Sequence, residues 1–168
     1  MKQAGFTLVE VLVTLSITLI LTTVMITYSR SGEQQILLFK EQAKIINVIS
    51  RAKSLALQTF QSGANFCGYG VHFNADGTFI LFRDVANDCA ASDNVYSGPA
   101  EQVESYKLDA RVRFSQVGFF DIIFIPPDPQ VRLNPDQFEA DIQVQAVGGT
   151  VAVGVHVTNA GQVTSAVQ

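Results

Sequence analysis

The chain has 168 residues, which suits one domain of ordinary size with an appended segment. Its formal net charge is −4 and its isoelectric point about 5.0. An acidic balance argues against broad binding of nucleic acid, because Lys and Arg neutralise the phosphates. The two histidines, His72 and His156, and the two cysteines, Cys67 and Cys89, show no CxxC or HxxxH spacing. No metal site and no cofactor are therefore expected.

An apolar segment opens the chain. It runs from Phe6 to Tyr28, and Glu10 is its one charged residue. At about 1.5 Å per residue it is long enough to cross the hydrocarbon core of a membrane. Lys2 precedes it, and because positive residues favour the cytoplasmic side, the rest of the chain is expected outside the cytoplasm. A conventional secretory signal needs small residues after its apolar core, whereas Ala4 and Gly5 come before this one.

Helical periodicity continues beyond the apolar segment. A stripe of apolar residues steps by three or four positions: Ile45, Ile49, Ala52, Ala56 and Phe60, widened by Ile46, Leu55 and Leu57. The charged residues between them are expected in solvent: Glu33, Lys40, Glu41, Lys44, Arg51 and Lys53. Since no proline occurs before Pro99, a single helix from about Phe6 to Phe60 is predicted, with its second half packed on a sheet.

From Tyr69 onward the apolar period changes to two, which is typical of strands. Asn74-Ala75-Asp76-Gly77 predicts a hairpin turn, and the polar residues of 85–100 predict a loop. Strands are predicted at 69–74, 78–83, 102–108, 111–117, 119–125, 141–147, 150–158 and 162–166. Two groups are expected in the core: the alternating Val151, Val153, Val155 and Val157, and the aromatic Phe79, Phe82, Phe114, Phe119, Phe120 and Phe124. The predicted fold class is α+β, a long N-terminal helix packed on an antiparallel β-sheet head.

Cys67 and Cys89 lie just beyond the two ends of the first predicted hairpin. If the head is outside the cytoplasm, a disulfide between them is the default expectation, because the hairpin could bring its ends together. The alternative is a pair of unconnected buried thiols.

Glu10 admits two interpretations. One is a capping box, Thr7-x-x-Glu10, with the carboxylate at the positive end of the helix dipole. The other requires a cut between Gly5 and Phe6, which creates an ammonium group on Phe6 four residues before Glu10. The two opposite charges could then neutralise each other within one chain or between neighbouring helices. Between neighbours, the pair would set the axial register of the packed helices.

The motif Gly5-Phe6-Thr7-Leu8-Val9-Glu10, followed by an apolar helix, resembles the class III signal of type IV pilins and type II secretion pseudopilins. The resemblance implies that residues 1–5 are a leader, that a prepilin peptidase cuts after Gly5 and methylates the amine of Phe6, and that Glu10 acts between subunits. It implies that residues 6–29 span the membrane and later form the filament core, and that residues 30–168 form the globular pilin head. The fold of that family matches the layout predicted above from periodicity.

The closing segment, Val155 to Val163, is similar to the last hairpin of the GspH/FimT-type minor pilins. Some FimT-like proteins bind DNA through basic residues near the C-terminus, but this chain has no Lys or Arg after Arg132, which disfavours nucleic acid as a partner. Calcium binding, as in major pseudopilins, would need oxygens that here have no regular ligand spacing, those of Asp128, Asp136, Glu139 and Asp141. No catalytic motif is found.

We therefore expect a structural, non-enzymatic protein, a minor subunit of a type IV pilus or a type II secretion pseudopilus. Its expected partners are other pilin or pseudopilin subunits, prepilin peptidase, the inner-membrane assembly platform, and membrane lipid before assembly. The precursor would cross the inner (cytoplasmic) membrane once with its head outside the cytoplasm, and the product would be a pilus or a periplasmic filament. The alternatives are a DNA-binding minor pilin of a competence pilus and a membrane-anchored binding domain unrelated to filaments.

Overall fold

The structure is a computed structural model that describes residues 7–62, 66–86, 88–117, 120–127 and 130–167. Within these residues the regular elements are one α-helix, nine β-strands and a 3₁₀ turn at Cys89–Ala91. The elements are α1 (Leu8–Ser62), β1 (Gly68–Phe73), β2 (Thr78–Asp84), β3 (Gln102–Lys107), β4 (Val112–Val117), β5 (Asp121–Ile125), β6 (Gln130–Asn134), β7 (Glu139–Ala146), β8 (Ala152–Thr158) and β9 (Val163–Val167). The predicted α+β class, with a long N-terminal helix followed by antiparallel sheet, is confirmed.

The chain divides into two compact units, residues 1–36 and residues 37–168. In the first unit, the described residues belong almost entirely to the first part of α1. The second unit holds the rest of α1 and the strands, and we call it the head. The functional boundary expected between residues 29 and 30 stays a prediction.

The strands form two sheets. Sheet A has the order β3-β2-β1-β5-β6, and sheet B has the order β4-β7-β8-β9. All neighbouring strands are antiparallel. The division into two sheets was not predicted, because it depends on pairs such as β1 with β5 and β4 with β7, which lie far apart along the chain.

The second half of α1 supplies one wall of the core, as predicted. Ile45, Ile49, Ala52 and Ala56 are each at most 2% exposed. They belong to one hydrophobic cluster with residues of sheet A and of sheet B, among them Val71, Phe79, Ile122, Ile142, Val144 and Val155. Ile46 and Leu55 pack against this cluster as expected, whereas Leu57 is exposed, and the side chain of Phe60 lies outside the described part of the structure.

The buried face of α1 also carries polar residues. Glu41, expected in solvent, is only 2% exposed, so that prediction was wrong. Its carboxylate Oε2 pairs with Lys44 Nζ at 2.8 Å, one turn further along. The neighbouring Gln42 donates through Nε2 to the backbone carbonyls of Gly154 and Ala166 in sheet B. Because the head covers a wider arc of the helix than the apolar stripe, these side chains are buried with their own polar partners.

Most predicted strands are confirmed to within two residues, with three differences. Strand β6 was not predicted, because the prolines around it suggested a loop; it forms the edge of sheet A by pairing with β5. Val151 precedes β8 and is exposed, so the buried face of that strand begins at Val153. Phe120, expected in the core, is 61% exposed, and Phe119 lies outside the described residues.

The other face of sheet A has a small core of its own. Phe82 on β2 is fully buried and lies directly opposite Gly70 on β1. A Cβ atom on Gly70 would come within 2.6 Å of the Phe82 ring and 2.5 Å of the Ile122 carbonyl oxygen, so only glycine fits there. Tyr96, from the loop after β2, covers Phe82 with a ring distance of 5.5 Å.

Candidate assembly segment and the polar clusters of the head

The first part of α1 is an apolar surface without cover in the monomer. Residues Leu8–Ile26 have a mean hydropathy of 2.2, and none of the side chains in this stretch is buried. By length and composition the stretch is sufficient to cross a membrane. Leu19, Ile20 and Leu21 illustrate the exposure, at 68, 65 and 63%. Such a continuous apolar surface indicates a lipid or protein environment.

The hydroxyl groups within this stretch are satisfied by the helix itself. Thr14 donates to the carbonyl of Val11 at 2.9 Å, and Ser16 donates to that of Leu12 at 2.8 Å. The same bond, to the carbonyl three or four residues earlier, is made by Thr18, Thr22 and Thr23. These bonds remove the need for water, so the threonine-rich sequence is compatible with an apolar environment.

Glu10 lies in the first turn of α1 and is exposed. Its backbone N–H bonds to Thr7 at both the side-chain oxygen Oγ1 (3.3 Å) and the backbone carbonyl oxygen (3.1 Å), so Thr7 caps the helix. Within the described part of the chain, the Glu10 carboxylate has no hydrogen bond or ion pair. Gly5 and Phe6, the expected cleavage residues, lie outside the described residues.

In the head, the two cysteines are joined. The Sγ atoms of Cys67 and Cys89 are 2.01 Å apart, and their Cα atoms are 5.0 Å apart. Cys67 immediately precedes β1, and Cys89 lies in the loop that follows β2. The bond therefore fixes this loop to the start of the first hairpin.

Three buried carboxylates hold the same loop. Asp84, at 1% exposed, accepts a short hydrogen bond from the Ser92 hydroxyl. Glu101 accepts from the backbone N–H of Ser97 at 2.7 Å, and Asp121 accepts from the backbone N–H of Tyr96 at 3.4 Å. Burial is the main cause that raises the pKa of Asp84 above its usual range.

Each histidine is paired with an aspartate on an adjacent strand. His72 Nδ1 lies 2.8 Å from Asp121, and its Nε2 lies 3.1 Å from Asn74 Oδ1. His156 Nδ1 lies 2.8 Å from Asp141. Each ring therefore has a carboxylate partner, and no serine, threonine or cysteine side chain of the described residues bonds to either ring.

The acidic residues considered for calcium do not gather at one point. Among the described residues, no group of three or more His, Cys, Asp or Glu side chains is arranged to share a metal ion. Asp141 bonds to His156, and Asp128 lies outside the described residues. The candidate functional site of this chain is the N-terminal segment, because its apolar surface is exposed.

One family model matches the sequence, the prokaryotic N-terminal methylation motif, over residues 1–26. No curated protein and no solved structure matches the chain. The matched residues cover the leader and the apolar segment, and this motif is the class III signal of type IV pilins. The recognition made from Gly5 to Glu10 is thus confirmed. The motif supports a membrane-anchored, pilin-like precursor that a prepilin peptidase processes and that assembles with other pilin subunits, and it points to a structural protein.

Proposed function

We propose that the chain is a non-enzymatic minor subunit of a type IV pilus or a type II secretion pseudopilus. Prepilin peptidase hydrolyses the peptide bond between Gly5 and Phe6, and the new amine of Phe6 is methylated. The methylated amine remains basic and carries a positive charge. The subunit then leaves the membrane and enters a filament through its N-terminal helix.

The uncovered apolar helix is the observation that carries this proposal. Leu8–Ile26 has no buried side chain, whereas the part of α1 from Leu37 onward packs in the core of the head. In the precursor, lipid covers this surface. In a filament, the equivalent surfaces of neighbouring subunits would cover one another, which is favourable because apolar area is kept from water in both states.

In the filament, Glu10 would have a role that it does not have in the membrane-inserted precursor. A carboxylate near the end of a membrane-spanning helix costs about 2 to 3 kcal/mol when deeply placed and less near the interface. Deep among packed helices the same charge needs a partner, because an unpaired buried ion is strongly destabilising. The cleaved Phe6 amine of a neighbouring subunit supplies that partner and sets the register of the two helices.

The test is the state of the N-terminus. The native protein should begin at an N-methylated Phe6 in mass spectra, and Gly5→Leu should leave the leader attached because the bulky side chain blocks the cut. Gln3→Leu, a similar change inside the leader, serves as control and should still be processed. A mature protein that retains Met1, or that begins at any residue other than Phe6, would overturn the proposal.

A further inference from the structure

A groove lies on the surface of the head, between the second half of α1 and β3. It has a volume of about 480 Å³. Val48, at 4% exposed, forms its floor, and Ala43 and the ring of Tyr106 add further apolar surface. Three cations line it: Lys40, Lys44 and Arg51. The groove therefore combines an apolar floor with positive charge.

Two of these cations are held in place by the head, and the third is not. Lys44 Nζ bonds to Glu41 at 2.8 Å and to the backbone carbonyl of Lys107 at 2.8 Å. Arg51 Nη1 bonds to Glu104 at 2.7 Å and to the hydroxyl of Tyr106 at 2.9 Å. Lys40 is exposed and has no hydrogen bond or ion pair to the residues that the structure describes, and its one charge interaction among them is a weak one that helps to lower the pKa of the Asp109 carboxyl. Lys40 is thus the charge most available to a partner.

A segment of complementary chemistry protrudes from the same head, just before β7. Phe138 is 82% exposed, which is unusual for a large aromatic side chain. Asp136 and Glu139 flank it, and both are exposed without an ion pair among the described residues. The backbone is fixed there, since the Asn159 N–H donates to the Phe138 carbonyl at 3.1 Å. An aromatic ring between two carboxylates matches an apolar floor bordered by cations.

We propose that the segment 136–139 of one copy of this chain docks into the groove of a second copy, with Phe138 over Val48 and Glu139 against Lys40. The two surfaces are different parts of one molecule, so the contact is head-to-tail. Such a contact does not close into a symmetric dimer, and it requires only that two copies of the chain are neighbours in the assembly. The inference rests on the proposed function only in that filament subunits lie side by side.

The test is site-specific photo-crosslinking in the full-length chain, with p-benzoylphenylalanine in place of Phe138, in the membranes and sheared filaments of producing cells. The expected product is a covalent pair of chains whose linked peptide contains residues 40–51 or Tyr106. The same photoreactive group in place of Val147, which is 56% exposed, is the matched control and should not reach that peptide.

Charge reversal provides a second readout. Lys40→Glu should lower the yield of this crosslink about two- to fivefold, the range for a partly exposed ion pair. Combining it with Glu139→Lys should restore the yield, whereas Arg113→Glu, a reversal on β4, should leave the yield unchanged.

A crosslink only to other peptides, to another protein, to lipid or to nucleic acid overturns the docking proposal, and so does the absence of any crosslink. A normal N-methylated Phe6 in the same sample would show that the proposed function still stands. An unprocessed N-terminus would instead reject the proposed function, whatever the crosslink shows.

Discussion

Glu10 is the only charged residue between Thr7 and Tyr28, and its two interpretations make different predictions. Thr7 caps the helix through backbone and hydroxyl oxygens that bond to the Glu10 N–H, which alanine at position 10 retains. If the carboxylate serves only as a local charge, its loss should cost a few tenths of a kcal/mol. If it pairs with the Phe6 amine of a neighbour, its loss leaves that amine buried without a partner.

Glu10→Ala is therefore expected to be inserted and cleaved normally but to enter filaments poorly. The measurement is the ratio of subunit in sheared filaments to subunit in membranes, with the mass of the N-terminus as the check on cleavage. Glu33→Ala removes an exposed carboxylate from the same helix outside the apolar segment and should assemble normally. Normal assembly of Glu10→Ala would mean that the Glu10 carboxylate serves only as a local charge at the start of the helix.

Gly70 is required by the ring of Phe82 rather than by a turn. Gly70→Ala places a Cβ atom 2.5 Å from the Ile122 carbonyl oxygen, and backbone cannot move aside cheaply. We expect the free energy of unfolding to fall by about 1 to 3 kcal/mol, the usual cost of overpacking, measured by urea denaturation of the detergent-solubilised full chain. Gly154→Ala is the control, because its nearest contact would be an ordinary 3.6 Å. Equal midpoints for the two variants would show that Phe82 does not occupy this space.

Asp84 should make the head less stable as the pH rises. Burial raises its pKa in the folded state, so folding takes up a proton between the unfolded and the folded pKa, and stability falls across that interval. Asp84→Asn cannot ionise, yet its side-chain oxygen still accepts from Ser92. We expect the variant to lose less stability than the natural chain as the pH rises from about 4, the ordinary pKa of an aspartate, into the neutral range.

Urea midpoints across that pH range provide the measurement for Asp84. Asp109 is the control, because its pKa is shifted in the opposite direction: Arg111 lowers the pKa of the Asp109 carboxyl to about 2. Asp109 contributes to the slope only below about pH 5, where the unfolded carboxyl begins to take up a proton, so Asp109→Asn should not alter the slope above that pH. Identical slopes for Asp84→Asn and the natural chain would mean that Asp84 titrates as it does in the unfolded state.

At the scale of the element, α1 presents two apolar surfaces, one exposed and one buried in the head. Ile49 is fully buried against the strands, whereas Ile17 is 52% exposed. The head further holds its part of the helix by polar contacts, since Lys53 Nζ donates to the Gly161 carbonyl at 2.9 Å. One helix therefore contributes to the stability of the head and, by our proposal, to assembly, through separate stretches of sequence.

Replacing Ile49 or Ile17 by alanine should separate the contribution of α1 to the stability of the head from its contribution to assembly. Ile49→Ala should lower the free energy of unfolding by about 2 to 5 kcal/mol, because it leaves a cavity in the core. Ile17→Ala should change it by less than about 0.5 kcal/mol in detergent but should reduce filament yield. Urea denaturation and the filament assay described for Glu10 provide the two readouts. A large loss of stability from Ile17→Ala would contradict the division of roles.

At the scale of the whole molecule, local patterns in the sequence predicted most elements but not their arrangement. The helix and the hairpin at Asn74–Gly77 follow from periodicity and turn residues within a few positions of each other. The pairing of β4 with β7 depends on residues about thirty positions apart, which no local pattern contains. Glu41 was misplaced because its burial is decided by Lys44 and by the surrounding head, not by its own polarity. Gly5, Phe6 and Glu10 could be proposed from the sequence because they belong to a linear motif, the N-terminal methylation motif of residues 1–26.

The head has a core that is separate from the first 36 residues of the chain. The hydrophobic cluster runs from Leu37 to Val157, and the disulfide also lies inside the head. A fragment of residues 30–168 should therefore fold alone as a soluble monomer with the strand content of the full chain, because its core needs nothing from the apolar segment. Its cysteines should react with alkylating reagent only after reduction, as intact mass would show.

The fragment should not form filaments, since it lacks the surface that lipid and neighbouring helices are proposed to cover. Size-exclusion chromatography and circular dichroism test folding, and electron microscopy tests assembly. Filaments formed by the fragment alone would place the assembly contacts wholly in the head and leave the apolar segment as a simple anchor. An aggregated fragment would show that the head depends on residues before position 30. A folded monomer, with filaments only from the processed full chain, would assign stability to the head and show that assembly requires the N-terminal helix.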